Sequence, residues 1–535
     1  MNRRPPALAH RLLALAAIAL AAPADDPVAG VWKGLATGDG ATFPTWGVPA
    51  TFLLERAASG QLAGTFTLQG TSVEGVSGAF DAASGELALA GTFAGTSFAA
   101  RVRIAGDRMT GDVTGLGTTL SVDARRIGTQ VLAPPPGRSS AADVRTLSAE
   151  AWAADLAFLG AYLPQVHANA FHVLEPASWN AAIEALAKRA GELDGPRMAV
   201  ALAQLVARVG DAHTELDWRE LPGFDACPVG FTRFADGLFV SAVDERWAEA
   251  LGARVLRVAS VDAEEALARV CTLFAAENES WRRAKGPALL AIPRLLWSLW
   301  LVESPDRLPI VVEGADGELA LELEPRGSGA MLQAPDPEHD PLPLWQTRRN
   351  ESYWFERLAG KPAVYLAYNR CAEDPRRPIE GFVTDVLAAV EDTSAERLVI
   401  DLRHNAGGNS AVLSHQLERL AKHPRLCEPG RVVALIGPTT YSSGMMNAHQ
   451  LRAQVGATLV GEPTGGKPNS YGEMRSFRLP SSGLAVYYST KYFRMLADDP
   501  PAVEPDVRVD LASYEAFARE DPVLARALEL GRERR

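Results

Sequence analysis

The chain has 535 residues, 47% of them hydrophobic and 22% charged. That balance excludes a disordered chain and a polytopic membrane protein, and at roughly 150 residues per domain it implies about three or four structural units. Net charge is -12, from 53 Lys and Arg against 65 Asp and Glu; an acidic surface repels phosphate, so no nucleic-acid partner is expected.

Arg3, Arg4 and Arg11 lead into the apolar stretch Leu12 to Ala22, which ends in Ala22-Pro23-Ala24. This order of basic, apolar and small residues predicts a signal peptide over 1–24 and an exported chain, periplasmic or extracellular. The apolar run is shorter than the roughly 20 residues a helix needs to cross a bilayer, so no stable membrane span is expected, and an uncleaved interfacial anchor is the alternative. Residues 25–130 alternate short apolar runs with glycine, such as Thr51-Phe52-Leu53-Leu54 and Gly64-Thr65-Phe66. Turn signals between period-two segments predict a separate antiparallel β domain, a small barrel or a sandwich. It reads as a structural or dimerising appendage, with a ligand or partner module as the alternative.

Ala133-Pro134-Pro135-Pro136-Gly137 marks a linker over 131–145, after which apolar residues fall at helical spacing. Segments 147–162, 176–192 and 196–209 are predicted amphipathic helices of a helical segment covering 146–225. Over 226–334 the pattern is mixed α/β, with strands at Leu238-Phe239-Val240 and 253–258 and a helix at 261–270, an order similar to a PDZ-type peptide-binding module. Residues 279–303 are predicted helical, with Trp281, Trp297 and Trp300 in the core. An acidic, proline-rich stretch makes 335–350 a second linker. Across 351–520, strands at 363–367, 398–400, 432–436 and 457–460 alternate with helices at 379–390, 411–421 and 445–454, which predicts a layered sheet whose loops carry the function. Residues 521–535 form a C-terminal helix or tail. Cys227, Cys271, Cys371 and Cys427 are widely spaced without any CxxC, which excludes zinc-finger and thioredoxin readings; two disulfides or buried thiols both stay open.

Three loops hold the chemistry. The first, Asp401 to Ser410, contains Gly407-Gly408 ahead of a helix, where backbone N–H groups can approach an anion. The second, Gly437 to Gly444, places Ser442 and Ser443 at a helix entrance, suitable for a nucleophile or for an N-cap. The third, Gly461 to Asn469, carries Lys467, one of seven lysines in the chain; a desolvated lysine can serve as a general base. The phosphate-loop pattern fails because Pro468 follows Lys467.

Together the motifs DLRHNAGGN, TTYSSG and GEPTGGK resemble the tail-specific, or C-terminal-processing, serine protease superfamily, which includes the tricorn core and the interphotoreceptor retinoid-binding proteins. The likeness covers roughly 140–515 and implies a multidomain α/β protein with a ClpP/crotonase-like ββα catalytic core, acting on a peptide or protein substrate. It implies Ser442 as nucleophile, with Ser443 as the other candidate, and oxyanion donors in the backbone of Gly407 or Gly408 and of Ser443. The base is Lys467 by one branch of the family and His213, in Gly210-Asp211-Ala212-His213-Thr214, by the other. Asp498, Asp499 and Glu504 are then candidate partners that orient His213, while Asp211 reads as a turn residue. Met445 and Met446 stand where the family often has Glu. His404 and His449 read as second-layer or packing residues. No metal or cofactor is implied, a homo-oligomer stays open, and a hydrophobic-ligand binder or a hydrolase of another acyl compound are the alternative functions.

Overall fold

Apolar residues at every second position close the first stretch of the chain into a barrel in the computed structural model. The structure describes residues 26–530 apart from 41–42, 94, 136–139, 316, 326–330, 333–341 and 393–394. The expected signal peptide, Pro136 and Gly137 of the first linker and much of the second linker lie outside the described residues. The chain divides into two units, one holding the residues up to Leu193 with His213–Asp217 and Tyr471–Tyr492, the other holding Asp194–Ala212, Trp218–Ser470 and Phe493 onward.

In the first unit, eight antiparallel strands run Gly30–Thr37, Val48–Arg56, Leu62–Leu68, Thr71–Asp81, Glu86–Phe93, Thr96–Ala105, Arg108–Thr114 and Leu120–Gly128. The first pairs with both the second and the last, so the sheet has no free edge. In Thr96–Ala105, Phe98, Ala100, Val102 and Ile104 point inward and their neighbours outward. Inside, Trp32, Phe52, Phe66 and Met109 are fully buried, as expected for a barrel small enough for side chains to fill. The helices Ala149–Val166 and Pro176–Lys188 and a three-stranded sheet of Ser470–Arg478, Ala485–Phe493 and Glu215–Asp217 complete this unit. Buried Asp155 accepts the N–H groups of Ser481 and Ser482 at 2.7 and 2.8 Å. Gln69 of the barrel brackets the backbone of Tyr492, and the Lys33 amine donates to the His167 carbonyl.

The second unit begins with the helix Gly195–Ala207, capped by Asp194. An antiparallel sheet follows in the order Val229–Phe234, Gly237–Asp244, Arg254–Val258, Leu308–Gly314, Gly317–Leu323. The stretch expected as helix over 279–303 is instead two short helices, Glu279–Lys285 and Pro293–Ser298, with a 3-10 turn at Pro287–Ala291 between them. Pro287 and Pro293 lack the N–H a continuing helix needs, so each starts a new turn. The tryptophans also depart from the core role. Trp297 and Trp300 clasp the Arg197 guanidinium at 3.6 and 3.8 Å, and Trp300 is 66% exposed.

The central sheet has six strands in the order Tyr353–Arg357, Ala363–Tyr368, Arg397–Asp401, Val432–Ile436, Thr458–Gly461, Val507–Arg508; the first pairing is antiparallel and the rest are parallel. Its four inner strands are buried on both faces, as parallel strands covered on both sides must be. Leu366, Leu398, Ile400, Ala434 and Leu459 face helices that include Ile379–Asp392 and Ser443–Gln450. Tyr365, Val399, Val433, Leu435 and Val460 face the C-terminal helix Pro522–Glu529 through Val523 and Ala527. The helix expected over 411–421 breaks into Ala411–Ser414 and Leu417–Ala421, where the Ser414 hydroxyl bonds the Ser410 carbonyl and bends the turn. All four cysteines are free thiols, and only Cys427 is exposed. Among the described residues no helix is long and apolar enough to cross a membrane.

A buried ion network fixes the end of the Arg397–Asp401 strand. Arg403 reaches Asp401 at 2.6 Å and Asp521 at 2.8 Å, and the Tyr365 hydroxyl donates to Asp401 at 2.7 Å. Burial opposes ionisation of Asp401, yet the Arg403 charge and its hydrogen bonds hold that carboxyl below its ordinary range. Removing the shared cation strands two enclosed carboxylates. Arg403→Leu is therefore expected to cost about 3–5 kcal/mol in denaturant unfolding; a loss under about 1 kcal/mol would contradict this role.

Candidate active site

Asn405, fully buried, joins the loops that follow two neighbouring strands. Its carbonyl accepts the Tyr441 N–H at 2.9 Å, its side-chain amide donates to the Tyr368 carbonyl at 2.8 Å, and its Oδ1 accepts the Gly407 N–H at 3.0 Å. Thr440 adds a second tie, its hydroxyl donating to the Leu402 carbonyl at 2.8 Å while accepting the Gly437 N–H at 3.0 Å. The third loop closes on the second, with the Gly466 N–H reaching the Thr440 carbonyl at 3.2 Å. A Cβ on Gly466 would stand 3.1 Å from Ser442 N, so only glycine fits without displacement.

Ser442 has φ 48° and ψ -126°, a region where residues with a Cβ are uncommon and strained. It stands at the entrance of the helix Ser443–Gln450 and makes no side-chain capping hydrogen bond, so the plain N-cap reading does not describe it. Ser442 is half-buried. Ser443 is buried, and its hydroxyl donates to the Gly408 carbonyl at 2.7 Å. That bond ties the glycine loop to the helix start and engages the Ser443 hydroxyl.

The paired glycines have separate tasks. A Cβ on Gly407 would lie 2.8 Å from Ser442 Cβ and 3.2 Å from its Oγ, so this glycine allows the close approach. Its N–H donates to the Asn405 side chain, whereas the expectation had named Gly407 or Gly408 as the donor. Gly408 has φ 130°, and a Cβ there would collide with the Cys371 carbonyl. Among the described residues, the N–H groups of Gly408 and Ser443 have no hydrogen-bond partner. Two unsatisfied backbone donors thus remain, one on the glycine loop and one at the first turn of a helix.

Lys467, one of the two candidate bases, donates from Nζ to Asp499 at 2.6 Å. Asp499 is therefore engaged with Lys467. Asp498 accepts from Asn469 through its backbone, and the Glu504 carbonyl accepts from Arg452. His213 belongs to the first unit, half-buried in the turn ahead of Glu215–Asp217.

Two more residues adjoin this turn: Trp281, expected only as core, and Glu277, which the sequence reading did not single out. Trp281 stacks on Tyr441, the neighbour of Ser442, with ring centres 4.0 Å apart and planes within 11°. Glu277 has its carboxyl enclosed close to buried Asp211, with the N–H groups of Ala212 and Lys467 bonding to it and Oε2 left without a partner. Burial first and then the Asp211 charge push its pKa up to about 8, against the pull of those N–H groups and of Lys467. A run such as Ala275-Ala276-Glu277-Asn278 carries no motif, so only three-dimensional context singles it out.

No family model matches the chain, and no curated protein matches it in sequence. Solved structures do. Mature CPAF complexed with lactacystin aligns with a TM-score of 0.50 and 13% identity over 71% of this chain and 97% of CPAF. The chain shares its fold with mature CPAF. A serine-to-alanine mutant of CPAF gives a TM-score of 0.50 and 12% identity over 72% of this chain and 97% of its own. The photosystem II D1 C-terminal processing protease aligns with a TM-score of 0.35 and 12% identity over 69% and 96%.

The raised acid has a measurable signature. With a folded pKa of about 8 against an ordinary 4.5, Glu277 keeps a proton in the folded chain that the unfolded chain has released. Between those values the folded state binds more protons, so this group makes stability fall as pH rises, by at most about 1.4 kcal/mol per pH unit. Glu277→Gln should be stabilised relative to the parent at pH 8 but not at pH 5 in paired thermal melts. Parallel pH dependence of the two proteins would contradict the raised value.

Proposed function

We propose that the chain is an exported serine peptidase. Under this reading the central sheet is a ClpP/crotonase-like ββα core and the antiparallel sheet after Val229 a PDZ-like insert. The strained turn at Ser442, held against Gly407 beside the two unsatisfied N–H groups, is the observation that carries the proposal. Strand-to-helix turns of this kind project a nucleophile, and amides already in place stabilise an oxyanion without reorganising.

Ser442 Oγ attacks the scissile carbonyl carbon as its proton passes to a base. The negative charge that develops on the carbonyl oxygen is taken up by the N–H groups of Gly408 and Ser443. Collapse of this intermediate returns the proton to the leaving amine and leaves an acyl group on Ser442, which water then removes by the same steps. His213 is the base in this account. The family pattern supports that role, and the Lys467–Asp499 pair speaks against the alternative. CPAF, which shares the fold, is solved with lactacystin bound, so this compound is a fitting probe of a reactive hydroxyl.

Covalent labelling by lactacystin or a fluorophosphonate, read by intact mass, should vanish in Ser442→Ala and persist in Ser443→Ala; the reverse pattern would move the nucleophile. On a peptide substrate, His213→Ala should lower kcat/KM by about 10²- to 10⁴-fold, and Lys467→Met by less than about tenfold. Full activity in the first variant and none in the second would make lysine the base.

A further inference from the structure

The direction of the Gly408 N–H is set from behind, by Cys371. The Cys371 N–H donates to the Gly407 carbonyl at 3.0 Å, and its carbonyl accepts the Asn409 N–H at 2.7 Å, a parallel bridge centred on Gly408. In a trans peptide the C=O and N–H point in opposite directions. Holding the Gly407 carbonyl on Cys371 therefore turns the N–H of the same peptide, that of Gly408, away from Cys371. The next peptide obeys the same rule: with the Asn409 N–H on Cys371, the Gly408 carbonyl faces the far side, where the Ser443 hydroxyl meets it at 2.7 Å. Both polar groups of Gly408 are thus directed away from Cys371, on the side where the helix Ser443–Gln450 begins.

Cys371 is itself held by two buried amides. Its thiol donates toward Asn405 Oδ1, the oxygen that also accepts the Gly407 N–H, and toward Asn447 Oδ1, each 3.3 Å away. Burial pushes the thiol pKa up to about 11, so the sulfur keeps the proton it donates. Asn447 is fully buried on the second turn of the helix, among the core residues Met445 and Ala448. Its Nδ2 donates to the Ser410 carbonyl at 3.0 Å and to Gln450 Oε1 at 2.8 Å. Asparagine is a weak helix former and is costly to enclose unless its amide is bonded. Here the bonds run to the last residue of the glycine loop and to the thiol behind that loop.

We propose that Cys371 and Asn447 are positioning residues of the oxyanion hole: the Asn447 amide seats the Cys371 thiol, and the Cys371 backbone aims the Gly408 N–H at the developing negative charge. Both side chains are buried and act through Gly408, not on substrate. The inference rests on the peptidase reading of Ser442 and adds to it the part that aligns the hole. Preorganised donors act on the transition state more than on bound substrate. A misdirected Gly408 N–H therefore lowers kcat and spares KM.

Steady-state kinetics on a peptide substrate, with the affinity for a peptidyl aldehyde measured in parallel, test this. Cys371→Ala and Asn447→Leu should each lower kcat by about tenfold or more and leave KM within about twofold of the parent's. Both should weaken the aldehyde, whose hemiacetal oxygen occupies the hole, by a factor similar to the loss in kcat. Cys371→Ser keeps a donor to the two amides and should restore most of the lost turnover. Thermal melts give the folded fraction, and if Asn447→Leu does not fold, the two Cys371 variants decide. A role in packing alone lowers the melting temperature with kcat per folded chain and aldehyde affinity unchanged; that result, or a rise in KM with kcat intact, would overturn the proposal. A parent that neither takes a label at Ser442 nor hydrolyses the peptide would remove the peptidase reading and this inference with it. An active parent matched by all three variants removes this inference only.

Discussion

Holding a serine at φ 48° and ψ -126° costs on the order of 1–3 kcal/mol, and much of the second unit is arranged to enforce it. Asn405 takes the Tyr441 N–H from one side of the turn and the Gly407 N–H from the other. Thr440 binds the same two loops through Leu402, and Gly466 fills the space behind Ser442 N. Each bond satisfies a buried polar group that would otherwise be costly. The strain and its support are therefore one cooperative arrangement, anchored below by Asp401, Arg403 and Asp521.

Several buried polar atoms of this unit have no partner among the described residues, and two of them, Glu277 Oε2 and Trp281 Nε1, belong to residues packed by the proposed catalytic turn. Folded proteins satisfy nearly all such atoms, so exceptions ask for an explanation. Glu277, raised to about 8 by burial and by the Asp211 charge, opposes folding as pH climbs above the ordinary carboxylate range.

Most of this architecture was legible where a short-range rule operates. Strand Val432–Ile436 follows from five apolar residues between turn signals, and the barrel strands from strict alternation. Proline placement within 279–303 was present in the sequence, yet helical spacing of Leu and Trp outweighed it. The loops revealed that Ser442, Gly407 and Gly408 belong together, but not which amide stays available, because that depends on Asn405 folding back within its own loop. Lys467 read as one of two candidate bases because lysine is scarce in this chain; its ion-pair partner Asp499 stands 32 residues away and gives no local signal. Glu277 had no sequence signal at all. Its character comes from burial and from Asp211 and Lys467, far along the chain, which periodicity does not encode.

The central claim is that Ser442 and two amides, those of Gly408 and Ser443, form one preorganised acyl-transfer centre. A crystal structure of the chain after reaction with a peptidyl boronic acid tests it most directly. The account predicts a tetrahedral adduct on Ser442 Oγ with one boronate oxygen about 3 Å from both N–H groups and the turn unmoved. An adduct on another residue, or an oxygen directed away from those amides, would contradict it.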